Sequence, residues 1–265
     1  STLSLILIFG IFSQLSLICY GNNILFGLSH EGSHPQTLHA AQSLELSSFR
    51  FTMQSDCNLV LFDSDVRVWA SNTAGATGCR AVLQSDGLLV ILTAQNTIRW
   101  SSGTKGSIGN YVLVLQPDRT VTIYGPGLWD SGTSNKGSVV VANNGNSILY
   151  STQGNDNHPQ TLHATQSLQL SPYRLSMETD CNLVLFDRDD RVWSTNTAGK
   201  GTGCRAVLQP NGRMDVLTNQ NIAVWTSGNS RSAGRYVFVL QPDRNLAIYG
   251  GALWTTGSTA KVAAA

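Results

Sequence analysis

Residues 56–63 read Asp-Cys-Asn-Leu-Val-Leu-Phe-Asp, and the same eight residues stand again at 180–187, an offset of 124. Ser-His-Pro-Gln-Thr-Leu-His at 33–39 returns at 157–163 with one change and the same offset. After one inserted residue near Lys200 the offset becomes 125, which aligns Tyr111 with Tyr236, Tyr124 with Tyr249 and Trp129 with Trp254. Self-similarity at a fixed distance marks a duplicated unit. The chain divides into two homologous domains, 22–133 and 147–258, with a polar linker at 134–146 ending in Asn-Asn-Gly-Asn and a tail at 259–265.

A shorter period lies inside each half. All six Trp occupy one motif, Trp-x-Ser/Thr-Gly/Asn: Trp69, Trp100 and Trp129, then Trp193, Trp225 and Trp254, spaced 31 and 29 apart in the first half and 32 and 29 in the second. Three copies of about 30 residues predict pseudo-threefold symmetry, with the recurring Trp near the axis as shared core. Within a copy, runs such as Tyr111-Val-Leu-Val-Leu and Tyr236-Val-Phe-Val-Leu are β-branched and aromatic and end in Pro-Asp-Arg turns. No amphipathic helical run of useful length occurs, so the expected class is all-β.

Composition narrows the function. Of 265 residues 42% are hydrophobic and only 12% charged, and the net charge of +1 offers no field to steer nucleic acid or anionic lipid. The apolar stretch from Leu3 to Ile18, followed by Cys19-Tyr20-Gly21, reads as the remnant of a secretory signal peptide cut before Asn22. That predicts passage through the secretory pathway to an extracellular or vacuolar site, with no membrane insertion. Four cysteines remain, Cys57, Cys79, Cys181 and Cys204, separated by 22 and 23 within each half. In a secreted chain this predicts the local disulfides Cys57–Cys79 and Cys181–Cys204. Zinc is the competing use of these thiols, but no Cys-x-x-Cys accompanies them.

The stretch from Gln54 to Phe62, taken as one strand, sorts its residues into two faces. Cys57, Leu59 and Leu61 face the core, whereas Gln54, Asp56, Asn58, Val60 and Phe62 share the other face at steps of about 6.6 Å. A carboxylate accepts and carboxamides both donate and accept, a set that matches vicinal hydroxyls, and an apolar Val can meet the C–H side of a pyranose.

The pattern Gln-x-Asp-x-Asn-x-Val-x-Tyr, with the threefold, the Trp motif and the cysteine spacing, resembles the bulb-type, snowdrop-like mannose-binding lectins of monocot plants across nearly the whole chain. The resemblance implies two tandem β-prism domains, each of three four-stranded antiparallel sheets, paired by exchange of their C-terminal strands. It also implies up to one mannose site per sheet without metal or other cofactor: Asp and Asn on the axial 2-hydroxyl, Gln on the 3-hydroxyl, Tyr on the 4-hydroxyl and Val beneath the ring. The carbohydrate-binding set in this chain is then Gln54, Asp56, Asn58 and Val60, with Phe62 in place of Tyr, and Gln241, Asp243, Asn245 and Tyr249, with Ala247 in place of Val. Weaker matches are Glu178, Asp180, Asn182 and Val184, where Glu adds a charge and Phe186 replaces Tyr, and Gln116, Asp118 and Tyr124, where Thr120 and Thr122 intervene. Gln84, Asp86, Leu88, Val90 and Leu92, and Gln209, Asn211, Arg213, Asp215 and Leu217, have lost the pattern. The expected ranking puts the Gln241 and Gln54 stretches first. Expected partners are mannose-containing glycans and glycoproteins, in plant defence or storage, with the tandem unit forming a dimer or higher oligomer.

Two rival classes remain. Glycoside hydrolysis needs two carboxyls across a scissile bond, and only Glu178 with Asp180 offers neighbours on one face; no nucleophile elbow or phosphate loop is present. His30, His34, His39, His158 and His163 repeat between the halves, a copy that duplication alone explains without metal. The stronger rival is a storage, taste-modifying or protein-binding member of the same fold with little sugar binding. A β-trefoil would show repeated Gln-x-Trp, which is absent.

Overall fold

The short β-branched runs form strands of three to five residues linked by tight hairpins, and the described part of the computed structural model, residues 23–27, 37–134, 146–151 and 161–258, contains six four-stranded antiparallel sheets. The signal-peptide reading of 1–21, the body of the linker, His30, His34, His158 and the tail fall outside the described residues. In the first half, Ser43–Leu46, Phe49–Met53, Leu59–Asp63 and Val66–Ala70 make one sheet, and Thr37–His39, Arg80–Leu83, Leu89–Leu92 and Ile98–Ser101 a second. The second half repeats both.

The third sheet of each prism borrows its edge. Ile24–Gly27, Tyr111–Leu115 and Val121–Tyr124 are completed by Ala252–Thr255 from the far end of the chain, while Gly127–Asp130 pairs with Leu246–Gly250 in the other prism. The exchange carries the Trp with it. Trp254 lies edge-to-face against Trp69 at 5.7 Å and Trp100 at 6.0 Å, and Trp129 against Trp193 at 6.3 Å and Trp225 at 6.0 Å. These triads close the two cores, which also hold the disulfides Cys57–Cys79 and Cys181–Cys204. The rings meet one another, as the regular spacing implied.

A third apolar cluster joins the prisms. The outward faces of the two exchanged sheets meet through Phe26, Val112, Tyr124, Tyr150, Val237, Ala247 and Tyr249, all buried. This contact decides which of the sugar-binding candidates face solvent.

Candidate carbohydrate-binding site

The stretch from Gln54 to Asn58 is a hairpin turn and the following strand begins at Leu59, which corrects the reading of one straight strand. Gln54 N–H donates to the Asn58 carbonyl at 2.8 Å, Cys57 N–H donates back to Gln54 at 3.1 Å, and Cys57 takes the left-handed conformation at φ 73°. This is a three-residue hairpin loop closed by a left-handed residue. Asp56 Oδ1 accepts from Asn58 N–H at 2.9 Å and caps the turn.

The same turn is built in every sheet. Asp86, Asp118, Asp180, Asn211 and Asp243 each accept from the backbone N–H two residues on, and Gly87, Arg119, Cys181, Gly212 and Arg244 each have positive φ. The polar residue at this position therefore serves the fold first, through one oxygen, and only at some of the six turns is a second oxygen left over, as at Asp56. That explains why Asp86 and Asn211 persist where the rest of the pattern has gone.

The Asn is oriented by residues that the sequence pattern did not single out. Asn58 Oδ1 accepts from Ser71 Oγ and from Thr73 N–H, each at 3.2 Å, so its Nδ2 is left as a donor facing the groove. Because a backbone N–H can only donate, it fixes which way the amide points. Asn182 is held likewise by Thr195 and Thr197, and Asn245 by Ser131 and Thr133. The signal was present in Trp-x-Ser/Thr: the residue two after each Trp also accepts from the first N–H of the strand beside it, as Ser71 does from Leu59.

The six stretches then differ in what they leave free. At the first, Gln54 is half-buried and Asp56 exposed, while Asn58 and Val60 form the floor; neither the Gln54 side-chain amide nor the second oxygen of Asp56 has a hydrogen-bond partner among the described residues. The second-prism counterpart keeps Asp180, Asn182 and Val184 in the same arrangement. There Glu178 lies 3.8 Å from Arg174, whose guanidinium stacks 4.2 Å over Phe186, so the added negative charge is offset in place.

The stretch ranked first by residue matching is turned inward. Gln241 is 1% and Tyr249 0% exposed, the Gln241 amide donates to the Tyr249 hydroxyl, and Asp243 accepts from Asn245 N–H and from Ser134 Oγ at 2.8 Å. Sequence could not show this, because the burying surface is the other prism. Desolvation lifts the Tyr249 hydroxyl well above the usual tyrosine range, with Asp243 adding to the rise, and lifts Tyr124 to about 12. Gln116, Asp118 and Tyr124 line a small cleft, with room for about a single water, together with Tyr150 and Arg235 of the other prism. Arg235 pairs with Asp118 at 3.1 Å, and Thr120 and Thr122 hydrogen-bond Gln116, so the polar groups satisfy one another. In the last two stretches, Arg213 forks onto Asp215 at 2.8 and 2.9 Å, and Leu88, Val90 and Leu92 leave an apolar face.

Among the described residues no three His, Cys, Asp or Glu side chains gather closely enough to hold a metal ion, and His39 and His163 sit on separate edge strands. Glu178 and Asp180 belong to one hairpin turn, in which Glu178 N–H donates to the Asn182 carbonyl and Asp180 caps the Asn182 N–H.

No protein-family model matches the chain. Known proteins do. The mannose-specific lectin 2 of Colocasia esculenta is 32% identical over 262 residues, covering 97% of this chain and 93% of that protein. The mannose-specific lectin 2 of Crocus vernus is 34% identical over 236 residues, covering 85% and 87%. The solved structure of the fetuin-binding two-domain agglutinin of Scilla campanulata is 95% identical, covers 89% of this chain and 100% of that chain, and superposes with a TM-score of 0.82. The relatives are lectins, which bind carbohydrate and do not transform it, and by sequence identity over most of its length and by superposition the chain belongs with them to the family of mannose-specific lectins of monocots.

Proposed function

We propose that the protein binds mannose-containing glycans of glycoproteins through the Gln54–Val60 stretch and, more weakly, through the Glu178–Val184 stretch. One observation carries the reading: Asp56 keeps a free carboxylate oxygen beside an Asn58 amide whose donor end is held toward the groove by Ser71 and Thr73. An acceptor and a donor fixed side by side over the buried Val60 suit adjacent sugar hydroxyls above an apolar ring face. The fetuin-binding property of the Scilla relative supports glycoprotein glycans as the ligand.

Magnitude sets the style of binding. About four hydrogen bonds at 0.5–1.5 kcal/mol net each give a single site roughly millimolar affinity. Use then depends on several sites acting together, which raises avidity by about 10² to 10⁴ on dense glycans. Self-association of the tandem chain into a dimer or larger assembly serves the same end, and light scattering at rising concentration tests it. The apolar residues 3–18 and the two disulfides support a secreted or vacuolar protein.

The test is a titration of mannose-coated surfaces at several densities, with free mannose as competitor. Steep dependence on density and competition only near millimolar mannose is the expected result. Micromolar binding of the free sugar contradicts the shallow-site account.

A further inference from the structure

Beside the Gln54–Val60 stretch, on the same outer face, strand register sets four side chains in a row across the sheet. Glu45 is opposite Arg50, Arg50 opposite Phe62 and Phe62 opposite Arg67. The neighbouring row is Thr52, Val60 and Ala70, the floor of the sugar site. Rows on one face are about 6.6 Å apart, so the two arginines lie within reach of a sugar linked to one held over Val60.

These arginines are uncommitted. The Arg50 guanidinium stacks over the Phe62 ring at 5.0 Å, which fixes its plane and leaves its edge donors to solvent. Neither Arg50 nor Arg67 has a hydrogen bond or ion pair among the described residues, and Glu45, although opposite Arg50, is not paired with it. The comparison within the chain is informative. Arg80, at the position equivalent to Arg50 in the next sheet, donates to the Thr93 carbonyl and to Asn96 and so braces a hairpin. In the second prism Arg174 and Arg191 flank Phe186, but Arg174 faces Glu178 at 3.8 Å.

We propose that Arg50 and Arg67, with Phe62 between them, form a subsite for an anionic sugar, bearing a carboxylate or a sulfate, joined to the mannose at Gln54–Val60. Planar guanidinium groups match both anions by paired N–H donation. The second prism, where Glu178 already answers Arg174, has no such preference. Phe62, which lacks the Tyr hydroxyl, is then the platform for Arg50 and not merely a weakened mannose contact. The proposal rests on the mannose reading of the adjacent stretch and deepens it.

The experiment uses the intact chain and three probes: a mannose oligosaccharide, the same oligosaccharide capped with glucuronic acid, and the same carrying a sulfate ester. The parent is expected to bind at least one anionic probe about tenfold tighter than the neutral one at low salt, with the advantage shrinking as salt screens the exposed charges. The Arg50→Gln/Arg67→Gln variant loses that advantage and keeps its neutral affinity, whereas Arg174→Gln/Arg191→Gln keeps the advantage. Which anion gains identifies the source. Equal binding of all three probes by the parent, or an advantage that survives Arg50→Gln/Arg67→Gln, overturns the proposal. If the parent does not bind the neutral probe, the mannose reading falls and the anionic probes still decide: binding that depends on Arg50 and Arg67 upholds the subsite, and no binding overturns it.

Discussion

Replacing Trp254 by Ala should loosen the first prism, although Trp254 belongs by sequence to the second repeat. Its ring meets Trp69 at 5.7 Å and Trp100 at 6.0 Å, and its strand completes the sheet of Val121–Tyr124. Truncating a buried Trp costs about 3–5 kcal/mol, and Trp254 is half-buried, so the lower end, about 3, applies. At 1.4 kcal/mol per decade, local opening of the first prism becomes about a hundredfold more frequent. Hydrogen exchange read by mass spectrometry resolves where. Peptides over 49–70 and 80–101 should exchange faster, while 173–194 and 205–226 hold near the parent rate. Trp129→Ala, whose ring meets Trp193 and Trp225, should do the reverse. Faster exchange at 205–226 with protection kept at 80–101 in Trp254→Ala refutes the exchanged arrangement.

The contact between the prisms should fail in alkali. Burial holds the hydroxyls of Tyr124, Tyr150 and Tyr249 above the ordinary value of 10, Tyr124 at about 12. The unfolded chain therefore loses these protons first, so stability is flat below pH 10 and falls as pH rises through about 12, by about 2–3 kcal/mol for Tyr124 alone. Denaturant midpoints that do not move between pH 9 and about 12 contradict this. Arg213→Ala leaves the buried Asp215 carboxylate without its fork and should cost about 3 kcal/mol in a denaturant titration, while Arg213→Ala/Asp215→Leu recovers most of it. Opening the Cys57–Cys79 bridge, which spans 22 residues, should lower stability by about 3 kcal/mol, seen as a lower melting temperature of the Cys57→Ser/Cys79→Ser variant.

Architecture was legible because it repeats: the Trp spacing gave the threefold and its axis, and the cysteine spacing gave the bridges. The turn at Gln54–Asn58 was misread as strand because polar alternation fits both. Only the backbone shows Cys57 in the left-handed region and Asp56 capping the loop. The candidate residues were legible as residue types, and their exposure was not. Gln241 to Tyr249 matches the motif best, yet whether a sheet face is wet depends on the other prism, which packs Phe26 and Val112 into the same cluster as Tyr249. In the other direction, Glu178 was read as an added charge, yet Arg174, four residues earlier on the strand that Glu178 directly follows, reaches to 3.8 Å of it once the guanidinium is stacked on Phe186.

The most direct test of the central claim is retention on a mannan surface of the Asp56→Ala/Asp180→Ala variant, with Asp243→Ala alongside. Asp56 and Asp180 are exposed beside oriented Asn amides, whereas both oxygens of Asp243 are already taken. The account predicts that the double variant, folded by circular dichroism, loses most of its retention while Asp243→Ala binds close to the parent. A folded double variant retained like the parent contradicts it.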